Sequence, residues 1–207
     1  MAHRRWRWLL CAALACSLCL PVSAAPSQED AQDHGIALSL AWAQEEGILL
    51  GTGPDQLTPN GEATRAMAVT VLHRYAGTPQ ANSSHPFSDV PAEAYYADAV
   101  AWAAGNEIVT GYSKEKFGPD DAITREQLAA ILYRYAQYKN IDVTRTADLS
   151  GYTDTAQISA YAETAVKWAN AEGLITGVTD TMLKPAGTAT RAQAAEILMR
   201  FCEHIAE

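Results

Sequence analysis

Six positions recur in register three times along the chain, and this constrains the fold more than any composition does. Trp42, Trp102 and Trp168 are spaced by 60 and 66 residues, and Arg65, Arg125 and Arg191 repeat those spacings. Each arginine follows its tryptophan by 23 residues. Gly51, Gly111 and Gly177 lie 9 residues after the tryptophans, and Pro59, Pro119 and Pro185 lie 17 after them. Beyond the arginines come Leu72, Leu132 and Leu198, then Tyr75, Tyr135 and Phe201. The insertion that stretches 60 to 66 falls around "NIDVTRTADLSG". A period of this length marks units that bury their apolar faces on neighbouring units.

Each unit reads as helix, loop, helix. In the second, "YYADAVAWAAGN" is rich in alanine with apolar residues at helical spacing, and Gly105 and Asn106 suit its C-terminus. The turn-rich "EIVTGYSKEKFGPDDA" follows. Leu128, Ile131, Leu132 and Tyr135 then form an i, i+3, i+4, i+7 stripe, matched in the third unit by Ala194, Ile197, Leu198 and Phe201. The expectation is an all-α protein with six helices in three pairs.

Thr64, Thr124 and Thr190 stand where helix N-caps belong, and Gln127 and Gln193 complete S/T-x-x-E/Q capping boxes. Met67 holds that position in the first unit, so its cap closes one way only. The residue directly after each threonine is Arg65, Arg125 or Arg191. A cation there opposes the helix dipole. A helix N-terminus presents free N–H groups, and a guanidinium beside it adds a planar fork of donors suited to a carboxylate or phosphate. Two roles are open: receiving an anion, or pairing with an acid of the neighbouring unit. Arg74, Arg134 and Arg200 are expected in the last turns of their helices, where cations are favoured.

Residues 1–24 read as a cleaved signal peptide: "MAHRRWRW" is basic, "LLCAALACSLCL" is a short apolar run, and "VSA" precedes Ala25. Its cysteines lack a lipoprotein lead-in, so no direct membrane insertion is expected after cleavage. Beyond residue 24 remain 12 basic and 24 acidic residues, a net charge of −12. That balance argues against nucleic acid, whose binding rests on phosphate neutralisation. Cys202 is then the sole cysteine, so no internal disulfide supports the fold. As a small buried hydrophobe it suits a helix end better than it suits catalysis with His204.

The stretch "FSDVPAEAYYADAVAWAAGNEIVTGYSKEKFGPDDAITREQLAAILYRYA" closely resembles an S-layer homology repeat. Its F-x-D-V start, W-A, glycine turn, F-x-P and I-T-R opening of the second helix carry the likeness. "YTDTAQISAYAETAVKWANAEGLITGVTDTMLKPAGTATRAQAAEILMRF" is a second copy, and "ALSLAWAQEEGILLGTGPDQLTPNGEATRAMAVTVLHRYA" a third, shortened at its start. On this division residues 25–80, 81–140 and 141–207 are repeats 1, 2 and 3. The resemblance implies three helix-loop-helix repeats in a pseudo-threefold bundle, closed within a monomeric chain, with grooves between neighbours. It implies a secreted protein at the bacterial cell surface that binds secondary cell-wall polysaccharide linked to peptidoglycan, through an anionic sugar such as one bearing a pyruvyl ketal. Arg65, Arg125 and Arg191 would then receive that anion. The first repeat lacks F-x-D-V, so Asp89 and Asp154 have no clear counterpart there unless Asp30 or Asp33 substitutes. Two good sites and one weaker one are expected.

Further candidates keep two readings each. Trp42, Trp102 and Trp168 suit core packing on alanine-rich helices, or packing with one edge shown to a groove. Gly51, Gly111 and Gly177 suit a positive φ or close backbone approach, and secondarily close approach to a ligand. Asp120, Asp121 and Glu126 near a helix start suit dipole partners. Enzyme motifs such as H-E-x-x-H, G-x-S-x-G, a P-loop and paired C-x-x-C are absent. No enzyme activity, metal or cofactor is therefore expected. The competing function is a scaffold at the cell envelope whose grooves accept peptides or acidic side chains. Almost nothing in this sequence lies outside the leader and repeats, which suggests a minimal wall-associated protein or an adaptor. An anion-receiving role implies that Arg→Ala leaves folding nearly unchanged and weakens binding.

Overall fold

A computed structural model gives the fold, and it describes Ala41, residues 58–81 and residues 84–205. The leader, the helix expected around Trp42, and Trp42, Gly51, Asp30 and Asp33 lie outside the described residues. Five α-helices are described: α1 (Arg65–Tyr75), α2 (Ala97–Gly105), α3 (Arg125–Tyr138), α4 (Glu163–Ala171) and α5 (Arg191–His204), with one 3-10 turn at Thr155–Gln157. Among the described residues there are isolated β-bridges and no strands.

The arginine-led helices start as the capping pattern predicts. Thr64 Oγ1 accepts from Met67 N at 3.2 Å. Thr124 and Thr190 each accept from the N–H three residues on, and Gln127 and Gln193 reach back to the cap N–H groups. A cap of this kind stabilises a helix by about 1 kcal/mol. Helix α2 ends at Gly105 with Asn106 as its C-cap, as expected. One expectation fails. Helix α3 continues to Tyr138 and α5 to His204, so Arg134 and Arg200 precede the last turn, and only Arg74 lies within one. Apolar contacts carry both helices a further turn, with Ala136 fully buried and Cys202 nearly so.

The helices pair across copies. Helix α1 packs on α2, and α3 packs on α4, so the second helix of one copy lies on the first helix of the next. The tryptophans make that joint. Trp102 meets His73 at 5.2 Å between ring centroids, and Trp168 meets Tyr133 at 5.5 Å. Each also packs on the aromatic ring near the end of its own copy's second helix, Tyr135 or Phe201. The predicted stripes of α3 and α5 are buried throughout.

Backbone hydrogen bonds tie the helix starts together. Ala63 N donates to Ala189 O, Ala189 N to Ile123 O, and Ile123 N to Ala63 O, so the three bonds close into a ring. Immediately after it, Arg65 and Ala66 donate to Asp121 and Pro119, Arg125 and Glu126 to Gly187 and Pro185, and Arg191 and Ala192 to Gly61 and Pro59. Two of the N–H groups that a helix start leaves unpaired are thereby satisfied, in each case by the loop of another copy.

Candidate ligand groove

Three loop devices position the site. In the first, Asp89 Oδ1 accepts from Phe117 N at 2.8 Å and Oδ2 from Gly118 N at 2.7 Å. Asp154 accepts in the same way from Leu183 N at 3.0 Å and Lys184 N at 2.8 Å. Burial pushes both carboxyls up, but the paired backbone donors outweigh it and hold them below the usual carboxylate range. Each aspartate therefore fastens the front of its own copy to the loop before the next helix.

In the second, a Cβ at Gly111 would lie 2.4 Å from Lys116 O, 2.5 Å from Ser113 O and 2.6 Å from the Phe87 ring. A Cβ at Gly177 would lie 2.2 Å from Thr179 O and 2.8 Å from the Tyr152 ring. These glycines serve close backbone approach, one of the two roles expected of them.

In the third, the arginine at the start of one helix clamps the following copy's loop. Arg65 Nε donates to Phe117 O and Nη2 to Thr110 O, both at 3.0 Å. Arg125 Nε donates to Leu183 O at 2.9 Å and Nη2 to Thr176 O. Both arginines are over nine-tenths buried, as is Arg191, and Arg191 Nη1 reaches Met67 Sδ at 3.2 Å. Desolvation lowers the pKa of all three guanidinium groups. The interface partners of Arg65 and Arg125 are thus carbonyls of the neighbouring copy, rather than the neighbouring acid that the sequence offered as an alternative. The expectation that Arg→Ala leaves folding nearly unchanged does not survive this geometry. Removing the side chain strands a buried carbonyl, that of Phe117 or Leu183, at an interface between copies.

Around Arg65 lies a groove of about 230 Å³. The 109–111 segment, Tyr112 and Tyr161, and Gln127, Ile131 and Arg134 of α3 line it. The Arg65 guanidinium carbon sits 4.6 Å from the Tyr112 ring centroid and 4.7 Å from that of Phe117. Nε and Nη2 of Arg65 carry its bonds, which leaves Nη1 donors for a ligand. The groove draws on all three copies: Arg65 from the first, the loop and α3 from the second, Tyr161 from the third.

Among the sequence candidates, Arg65 and Gly111 meet in this groove. Arg125 and Gly177 occupy the matching places one copy on, where Arg125 bonds the carbonyl just before Gly177. Trp102 and Trp168 are each 1% exposed. Their burial supports core packing, the first of the two roles read for them. Asp89 holds the 117–118 loop and Asp154 the 183–184 loop, and neither lines the Arg65 groove. Sequence reasoning passed over Arg134, Tyr112 and Tyr161 as groove residues. A signal existed for one of them, because Tyr95 and Tyr161 both precede their tryptophans by seven residues.

The sequence pattern of the S-layer homology domain matches residues 86–129 and 151–195. This is an S-layer homology domain protein. The two matched stretches each run from the F-x-D-V region through the loop into the arginine-led helix. An endoglucanase of Bacillus sp. (strain KSM-635) is 30% identical over 92% of this chain, a surface-layer 125 kDa protein of Lysinibacillus sphaericus 29% identical over 94%, and a cellulosome-anchoring protein of Acetivibrio thermocellus 24% identical over 70%. The matches cover 21%, 16% and 33% of those proteins, so this S-layer homology protein spans a third of their length or less. The likeness places it among secreted, surface-attached bacterial proteins.

Proposed function

We propose that this S-layer homology protein anchors at the cell surface by binding an anionic polymer of the bacterial wall. The proposed ligand is the secondary cell-wall polysaccharide, through a carboxylate-bearing sugar such as a pyruvyl ketal. The observation that carries this reading is the Arg65 groove: a buried, permanently charged guanidinium held by two carbonyls, with donors left over and a second arginine, Arg134, lining the same groove. The chain is strongly acidic as a whole, so a concave site with two cations is a local reversal of charge that favours an anion. Arg125 and Arg191 are the proposed receptors in the two corresponding grooves. The role is binding rather than catalysis.

We also infer that the three copies surround a pseudo-threefold axis within one chain, which accounts for a monomer. The closed ring of Ala63, Ile123 and Ala189 bonds and the repeated helix-start bonds support that arrangement.

Sedimentation with purified walls tests the function. Retention on walls that keep their secondary polymer, and release once the polymer is stripped, is the expected result. Equal retention on stripped walls sinks it and favours a protein partner. Light scattering that shows a stable trimer of the mature chain counts against the monomer.

A further inference from the structure

The residues at the positions that make up the Arg65 groove differ from copy to copy. At the Arg65 groove two tyrosines stand more than half exposed, Tyr112 at 51% and Tyr161 at 54%. Each is held in place. Gly118, at φ +72°, leaves room for the Tyr112 ring, since a Cβ there would lie 2.4 Å from it. Tyr161 is tethered from behind, its hydroxyl donating at 3.3 Å to Oε1 of Glu126. Glu126 is 6% exposed and is fixed in turn by Ser159, whose N–H and Oγ donate to its two oxygens at 2.9 and 2.7 Å. Glu126 is therefore a positioning residue, and the first and third copies have Ala66 and Ala192 in its place.

The positions that correspond to these around Arg125 carry other residues. Val178 and Lys184 replace Tyr112 and Gly118, and the position corresponding to Tyr161 is Gly35 by spacing. The second arginine there, Arg200, is engaged by Glu196 at 2.5 Å. For Arg191, Tyr95 corresponds by spacing to Tyr161, and Thr52 corresponds in sequence to Tyr112.

We propose that Tyr112 and Tyr161 form an aromatic clasp that takes the face of a pyranose ring while Arg65 and Arg134 take its carboxylate, making this the dominant groove of the three. The inference rests on the wall-polymer reading above and specifies which groove selects the sugar and by what chemistry. A pyranose presents axial C–H groups on one face, an apolar patch that suits a ring with a negative π face. A carboxylate on the same sugar meets two guanidinium groups. A ligand with only the ring or only the charge would use half of the site.

The test uses soluble polysaccharide purified from walls that retain the full chain. Tyr112→Ala with Tyr161→Ala should weaken binding by about tenfold or more, whereas Tyr112→Phe with Tyr161→Phe should largely keep it. Val178→Ala, at the corresponding place beside Arg125, should change little. Undiminished affinity in the double alanine variant overturns the clasp. If that variant retains affinity while Arg65→Lys loses it, the anion-receiving groove stands without an aromatic role. If the parent chain itself ignores the polysaccharide, the wall-polymer reading fails, and the clasp with it. Should the double alanine variant not fold, the parent decides. Its Tyr112 and Tyr161 ring resonances must shift on titration, with Tyr138 as the unmoved reference. Absence of those shifts at saturating polysaccharide overturns the proposal.

Discussion

Arg125→Ala probes the joint between the second and third copies. The side chain donates from Nε to Leu183 O at 2.9 Å and from Nη2 to Thr176 O, and it is 8% exposed. Charge-assisted bonds of this kind contribute about 1.5–3 kcal/mol each. Leu183 is buried, so its carbonyl loses its partner without regaining water, whereas exposed Thr176 recovers solvent. Crediting the first bond fully and the second in small part gives a loss of about 2–4 kcal/mol. For a domain of this size the midpoint should fall by roughly 5–15 °C. Arg125→Lys restores one donor geometry but not the fork, so about half of the loss should return. By contrast Glu163→Ala, which breaks the exposed pair with Lys167, should leave the melting midpoint almost unchanged. Thermal melting followed by circular dichroism, with urea titration for the free energy, separates these magnitudes. An Arg125→Ala protein that melts within about 1 °C of the parent would refute the clamp.

Gly111→Ala pushes a methyl group to 2.4–2.6 Å from two carbonyls and the Phe87 ring, so it should destabilise by about 2 kcal/mol or more, read as a lower urea midpoint with unchanged slope. Thr190→Ala should cost about 1 kcal/mol by the same assay, since it removes a two-way cap. Asp154, with a folded-state pKa below its unfolded value, stabilises fully above the unfolded value, and that contribution fades as pH falls towards the folded one. Asp154→Asn should therefore lower the melting temperature at neutral pH and lose less on acidification than the parent; equal acid sensitivity would show that Asp154 holds no such loop. Deleting residues from Asp148 onward removes the carbonyls to which Arg125 and Glu126 donate, so fragment 25–140 should not melt cooperatively, and a sharp transition would contradict that dependence.

The sequence alone determined the repeat, the α-helical class, the caps and the buried stripes. These depend on contacts three or four residues apart, or on a register that recurs three times. Thr124 with Gln127 is legible because a capping box closes within one turn. The tertiary structure decided the partners. The spacing shows Arg65 at a helix start but not that its fork grips Phe117 and Thr110, which lie 52 and 45 residues away in another copy. Tyr112 and Tyr161 could not be recognised as facing one groove, because they come from different copies and meet only once the loops are placed around Arg65. The sequence puts Arg134 in the last turn of its helix, facing the dipole, whereas tertiary packing carries α3 on to Tyr138. Local hydrogen bonds write themselves into residue spacing; a groove assembled from three copies exists only where the chain returns on itself.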